Sequence, residues 1–319
     1  SAAIGLWLIG QSSQVSRSAQ NKLHLSYQAP PFGPPSKRKW GLKALEARMR
    51  GLIPVLPTAP DASHIVAPQS MYPFLLAARA SAHPVLVVTS SSRSSEDLVS
   101  ELRELYENVL EFPAWETLPH ERLSPRSDTV AKRIQTLYAL QKKQSINPIV
   151  VTPVRGVIHR IISNLGSMPL MKLEIGKEQS LDLLVRHLAS LAYSRTDLVE
   201  RRGEFAVRGG IVDLFLPLSH HPIRIDFFGD EIEDLSYFEV ADQRTFAPVI
   251  GSVDIYPCRE MLITPEIKHR AIEVKEEYSA AAEMLEKISE GIAFEGMESL
   301  IPLLIDETET LLSRMPANT

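Results

Sequence analysis

Between residues 51 and 160, short apolar segments of strand length alternate with amphipathic segments of helical length. That alternation constrains the fold more than any other feature of the chain. The strand-like runs fall at 64–67, 84–89, 109–112 and 148–153, the second rich in β-branched residues. The helical runs fall at 71–82, at 92–106, and from a Ser124 or Ser127 cap to about 141. Leu98, Leu102 and Leu105 share one stripe of the second, and Val130, Ile134, Leu137 and Leu140 share one of the third. Strands separated by helices of this length build βαβ units and therefore a mainly parallel sheet.

From about 166 to 252 the texture changes. One helix, 180–193, precedes four closely spaced strand-like runs at 204–208, 211–215, 223–228 and 232–240. Gly209-Gly210 and Gly229-Asp230 lie between alternating segments, which is hairpin chemistry. This stretch reads as a small α+β module with an antiparallel sheet. Beyond Pro257 the pattern turns helical, with one long helix expected from 265 to about 290.

Charge is unevenly distributed. Residues 1–50 hold eight cations against one anion, and the remaining 269 residues hold 26 cations against 38 anions. The basic opening also contains Pro30-Pro31-Phe32-Gly33-Pro34-Pro35, which favours extended chain over packing. It reads as a disordered extension, or else as an arm that would release counterions from a nucleic acid. The acidic body offers no broad basic face for a duplex. A single cysteine, Cys258, rules out a disulfide framework and a Cys-rich zinc cluster, and suits a reducing compartment. Residues 2–10 are the most apolar run, too short for a membrane helix and with no cation ahead of them. Because the chain opens at Ser1 and ends at Thr319 without a capping pattern, it reads as part of something longer. A monomeric cytoplasmic protein is expected.

A parallel sheet of this kind invites a phosphate site, which needs glycines, a lysine and a Ser/Thr after the first strand. The junction here is Ala67-Pro68-Gln69-Ser70-Met71-Tyr72-Pro73, with no glycine or lysine and with two prolines that remove amide donors. Asp230-Glu231 has the composition of a magnesium-holding pair but follows Gly229 in a turn. His220-His221 lacks metal-ligand spacing, and neither a nucleophile elbow nor a Cys258 partner pattern is present. No catalytic residue, cofactor site or metal site is expected.

Arg208, Arg224, Asp226 and Phe228 form the one chemically informative group. Arg208 borders the Gly-Gly turn, while Arg224, Asp226 and Phe228 share a parity on the following strand. Ile223, Ile225 and Phe227 then take the opposite, core-facing parity. The strip is either a solvated sheet face with Arg224 and Asp226 as a local pair, or a protein-interaction surface in which arginines meet carboxylates and an aromatic supplies buried area.

Three stretches resemble the bacterial transcription-repair coupling factors. They are Phe112-Pro113-Ala114-Trp115-Glu116-Thr117-Leu118-Pro119-His120-Glu121 continuing to Asp128; residues 202–215, with Arg208-Gly209-Gly210 at their centre; and Arg224-Ile225-Asp226-Phe227-Phe228-Gly229-Asp230-Glu231-Ile232, followed by Asp242-Gln243-Arg244-Thr245. The last two are also similar to the excinuclease protein UvrB. The resemblance covers roughly residues 51–319 and implies an α/β fold: a degenerate P-loop/RecA-like parallel-sheet domain with an inserted α+β domain containing an antiparallel sheet.

It divides the chain into a basic extension (1–50), domain 1A (51–165), domain 2 (166–252) and the start of domain 1B (253–319). Domain 2 of the family recruits the repair protein UvrA to stalled RNA polymerase, and its recruiting residues would fall on Arg208, Arg224 and Phe228, with Asp226 at an acidic position of the same interface. ATP, magnesium, polymerase and double-stranded DNA would belong to parts of the full-length protein outside these residues, so the chain itself is expected to be a non-catalytic adaptor. The alternatives are a UvrB-like helicase fragment, a nucleic-acid binder acting through the basic arm, and a structural remnant without a partner.

Overall fold

The computed structural model describes residues 65–118, 121–143, 145–317 and 319, together with the backbone strand β1 (Leu23–His24). Beyond β1, the expectation for residues 1–50 lies outside the described residues. The chain forms two compact units. The first holds residues 1–114, 139–159 and 310–319, and the second holds 115–138 and 160–309.

In the first unit β1 pairs in parallel with β2 (Ile65–Val66). A 3-10 turn then leads into α1 (Tyr72–Ala80), which carries Pro73 in its first turn where a missing amide costs nothing. β3 (Val85–Thr89), α2 (Ser92–Arg103), β4 (Val109–Glu111) and β5 (Ile149–Pro153) follow. The three longer strands form a parallel sheet in the order β3-β5-β4. β5 lies in the middle and is buried along its whole length, as a central parallel strand must be. The apolar faces of α1 and α2 close on the sheet through Leu76, Ala80, Val99 and Leu102 against Val85, Val87, Val109, Ile149 and Val151. Ser91 caps α2 by accepting the Ser94 amide at 3.2 Å. Of the first strand expected at 64–67, Ile65–Val66 is a strand, and it pairs with β1 rather than joining the sheet.

The second unit contains most of α3 (Ser127–Gln141), then β6 (Ile161–Ile162), β7 (Met171–Leu173) and α4 (Leu181–Ser190). A six-stranded sheet follows: β8 (Ser194–Arg195), β9 (Glu204–Arg208), β10 (Ile211–Leu214), β11 (Ile223–Phe228), β12 (Glu231–Phe238) and β13 (Thr245–Pro248). Its order is β13-β12-β11-β10-β9-β8, antiparallel throughout except for the β8–β9 pair. One face packs on α4: Phe205, Val212, Leu214, Ile223, Ile225, Ile232 and Leu235 meet Leu184 and Leu188. Ile232 and Leu235 reach the same face although three residues apart, because the β11–β12 register shifts between Asp226 and Phe227 and leaves Glu233 as the extra residue. β14 (Val253–Ile255) pairs with β7, so the chain enters and leaves this sheet module through adjacent strands.

The long helix expected over 265–290 is two helices, α5 (Pro265–Val274) and α6 (Ala282–Glu290), joined by a turn that includes the 3-10 segment Ser279–Ala281. The buried residues Val274 and Leu285 are eleven apart, close to three full turns, so the helical phase runs through the break and hides it. The two helices pack against each other. β15 (Thr308–Glu309) pairs antiparallel with β6. Among the described residues no helix is long and apolar enough to cross a membrane, and no three His, Cys, Asp or Glu side chains gather to hold a metal ion.

Candidate interaction surface

Two-residue turns close both central hairpins. Gly209 (φ +60°) and Gly229 (φ +63°) occupy the left-handed region that side chains other than glycine adopt at a cost. Both turns lie at the same end of the sheet, where the Phe227 amide donates to the Gly210 carbonyl at 2.9 Å.

On the face away from α4 the register builds two cross-strand rows. The row beside the turns runs Arg208, Ile211, Asp226, Asp234 over β9 to β12; the next runs Ala206, Asp213, Arg224, Ser236. Arg208, Arg224, Asp226 and Phe228 are thus brought to one end of one sheet, and Ile223, Ile225 and Phe227 turn to the core as period-two geometry requires. Phe228 stands at the β11–β12 tip opposite Glu231 and is 77% exposed. Most of its ring area is therefore left unburied within the chain.

The two arginines differ. Arg224 is 20% exposed and engaged within the chain: its Nε and Nη2 donate to the two oxygens of Asp213 at 2.7 and 3.0 Å, and Nη1 donates to the Gln243 carbonyl at 3.2 Å. Its guanidinium also lies 5.0 Å from the centre of the Phe238 ring. The Asp213 bonds hold its pKa above the ordinary arginine value. The local Arg224–Asp226 pair considered from sequence does not form: in the register Arg224 faces Asp213 directly, and Asp226 faces Asp234. Arg208 is 49% exposed. It donates to the Asp197 carbonyl at 2.6 Å, and its Nη1 lies 3.9 Å from the same Asp213 carboxylate. With Arg195, Thr196, Asp197 and Val207 it borders an open recess of about 500 Å³. Burial, and then the charge of Asp234, push the Asp226 carboxyl above its usual range, and Arg224 offsets part of this.

Asp213 and Gln243 lie in the stretches that carry the resemblance, yet the sequence gives neither a place among the candidate site residues Arg208, Arg224, Asp226 and Phe228. Asp213 is also a lone carboxylate inside the apolar run Ile211–Leu214, which is a signal in itself. It is 2% exposed and is satisfied only because register puts Arg224 opposite it. Gln243 has φ +61°, and its side-chain amide donates to the Val199 and Val240 carbonyls, pinning the turn that covers Arg224.

A second cleft of the same unit, about 660 Å³, is lined by Arg126, Asp128, Arg201, Arg202, Cys258 and Arg259 among others. Its charges are mostly spent internally. Asp128 meets Arg126 at 3.0 Å and Arg202 at 3.6 Å, and Arg259 meets Glu298 at 3.0 Å and Glu295 at 3.4 Å. Burial pushes the Cys258 thiol up to about 12, so it stays protonated and unreactive at neutral pH.

The sheet, with its paired entry and exit strands, forms one α+β module, and the family described as the UvrB interaction domain matches residues 171–261, from the first residue of β7 to beyond β14. Over longer spans the chain is 40% identical to the transcription-repair-coupling factor of Mycobacterium tuberculosis, covering 82% of this chain and 22% of that protein. It is 32% identical to that of Escherichia coli (75% and 21%) and 28% identical to that of Bacillus subtilis (74% and 22%). The chain belongs to the transcription-repair-coupling factor family and spans about a fifth of the length of these relatives.

Proposed function

We propose that this chain is the UvrA-recruiting adaptor part of a transcription-repair coupling factor, serving nucleotide-excision repair at stalled transcription. The observation that carries the reading is that the UvrB interaction domain match encloses the whole strip, Arg208, Arg224, Asp226 and the exposed Phe228. Arg208 offers charge to a partner carboxylate, Phe228 offers apolar area to a pocket, and Arg224 and Asp226 complete the surface. The parallel-sheet unit is then a degenerate P-loop/RecA-like domain. The Pro68-Gln69-Ser70 junction, without glycine or lysine, supports this, as does the sheet order β3-β5-β4. On this reading the chain is not itself an enzyme. Nucleotide and magnesium binding, DNA translocation and polymerase contact belong to other parts of the full-length relatives, and the protein works in the cytoplasm as a monomer.

The test is the affinity of purified UvrA for the chain and for an Arg208→Ala/Phe228→Ala variant, with circular dichroism to verify folding. Both positions are exposed, so the variant should fold, and affinity should fall at least tenfold. A folded wild-type chain that does not bind UvrA would overturn the reading.

A further inference from the structure

Two cations of the strip converge on one buried carboxylate. Asp213 takes the fork of Arg224 at 2.7 and 3.0 Å from the neighbouring strand and lies 3.9 Å from Arg208 on the strand at its other side. It projects from the sheet face away from α4, beside the small cluster of Val199, Ala206, Phe215 and Phe238. With 2% exposure it cannot contact a macromolecular partner itself. Its two arginines can, and they belong to the strip proposed above.

Arginine side chains have many rotamers, and a surface guanidinium that must be ordered at the moment of docking loses affinity to that ordering. A buried carboxylate shared by two guanidiniums removes that loss beforehand. It fixes the plane of Arg224 by a two-point bond, which also leaves Nη1 to hold the Gln243 turn. It further biases Arg208 towards the rotamer that reaches the Asp197 carbonyl, leaving about half of that side chain open. Resting on the UvrA-docking reading, we propose that Asp213 is a positioning residue: it preorganises Arg208 and Arg224 for a partner surface that carries carboxylates.

The test is a set of double-mutant cycles on UvrA binding to the intact chain, using Asp213→Asn, Arg208→Ala and Phe228→Ala singly and in pairs, each with a thermal melt. Asp213→Asn keeps the side-chain shape and one acceptor but loses the charge. Affinity should fall about tenfold. Arg208→Ala should then cost much less in the Asp213→Asn background than in wild type, while Phe228→Ala should cost the same in both. General loosening of the fold would instead move all the variants together. Without any partner, the Nε–H resonance of Arg224 should be resolved and slow to exchange in wild type and lost in Asp213→Asn.

Should Asp213→Asn fail to fold, Asp213→Glu decides. It retains the charge but displaces the carboxylate by one methylene, so affinity should still fall with the melt preserved. Wild-type-like binding by either folded variant, or an Arg208→Ala penalty equal in both backgrounds, would overturn the positioning role alone. Absence of wild-type binding would overturn both readings.

Discussion

Asp226 and Asp234 face each other directly across β11 and β12, and among the described residues neither is held in an ion pair. Ser236 donates to Asp234 at 2.5 Å, and nothing comparable holds Asp226. Burial and the facing charge raise the folded-state pKa of Asp226 above its ordinary value. Folding therefore takes up protons in the acid range, and this group costs stability as pH rises through that window. Asp226→Asn should raise the melting temperature at pH 7. The gain should shrink as pH falls below the ordinary carboxylate range near 4. Melts at pH 7 and near pH 3.5 check the sign; a gain that grows on acidification would contradict it. If the strip docks UvrA, the same substitution should weaken binding while it stabilises the fold.

Removing one partner of the Asp213–Arg224 pair has unequal consequences. Arg224→Ala takes the two-point partner from a carboxylate that is 2% exposed, leaving it only Arg208 at 3.9 Å, and frees the Gln243 turn. It should cost about 2 to 3 kcal/mol in urea unfolding. Arg208→Ala leaves Asp213 with its bidentate partner and should cost no more than about 1 kcal/mol. Loss of UvrA binding in an Arg224 variant therefore says little unless its stability is measured as well, whereas Arg208 reports on the surface directly.

The two faces of the sheet were legible because strict alternation in 223–228 separates Ile223, Ile225 and Phe227 from Arg224, Asp226 and Phe228 whatever the neighbouring strands do. The partner of Arg224 was not, because that depends on which strand lies beside β11 and in what register. Asp226, two residues away, was the near choice in sequence; Asp213, eleven away, is the near choice in space. Period-two reasoning also fails at Glu233, where the bulge lets Ile232 and Leu235 share a face. β8 and β14 are only two and three residues long, too short to show a period, yet they extend the sheet edge and close the module. The α5–α6 break was concealed because the intervening residues keep the apolar stripe in phase.

Glu260 and Arg133 form an ion pair with both side chains buried, and the Trp115 indole donates to the same Glu260 oxygen at 2.9 Å. A buried pair adds little by itself, but neutralising Glu260 takes a charged acceptor from both the Arg133 guanidinium and the Trp115 indole. Glu260→Gln should destabilise the second unit by about 3 kcal/mol or more. Trp115→Phe, which removes one hydrogen bond to a charged acceptor, should cost about 1 to 2 kcal/mol. Urea unfolding of the two variants checks the order, and equal losses would contradict the ion-pair account.

Gly229 and Gly296 both adopt positive φ, +63° and +80°, but in different surroundings. A Cβ on Gly229 would meet nothing within 4 Å, so Gly229→Ala incurs only the left-handed backbone penalty, about 1 to 2 kcal/mol. A Cβ on Gly296 would lie 2.4 to 2.6 Å from the backbone of Arg122, which itself has φ +52° and cannot withdraw as a flexible side chain could. The Gly296 amide also donates at 2.9 Å to the Ser124 hydroxyl, which in turn bonds Glu298 at 2.6 Å and Arg259 at 2.8 Å. Displacing Gly296 therefore disturbs a buried charge network as well as the chain. Gly296→Ala should cost at least about 2 kcal/mol more than Gly229→Ala in urea unfolding. Hydrogen exchange should show the difference concentrated at residues 122–126 and 295–300, and equal penalties would mean that the Arg122 loop yields freely.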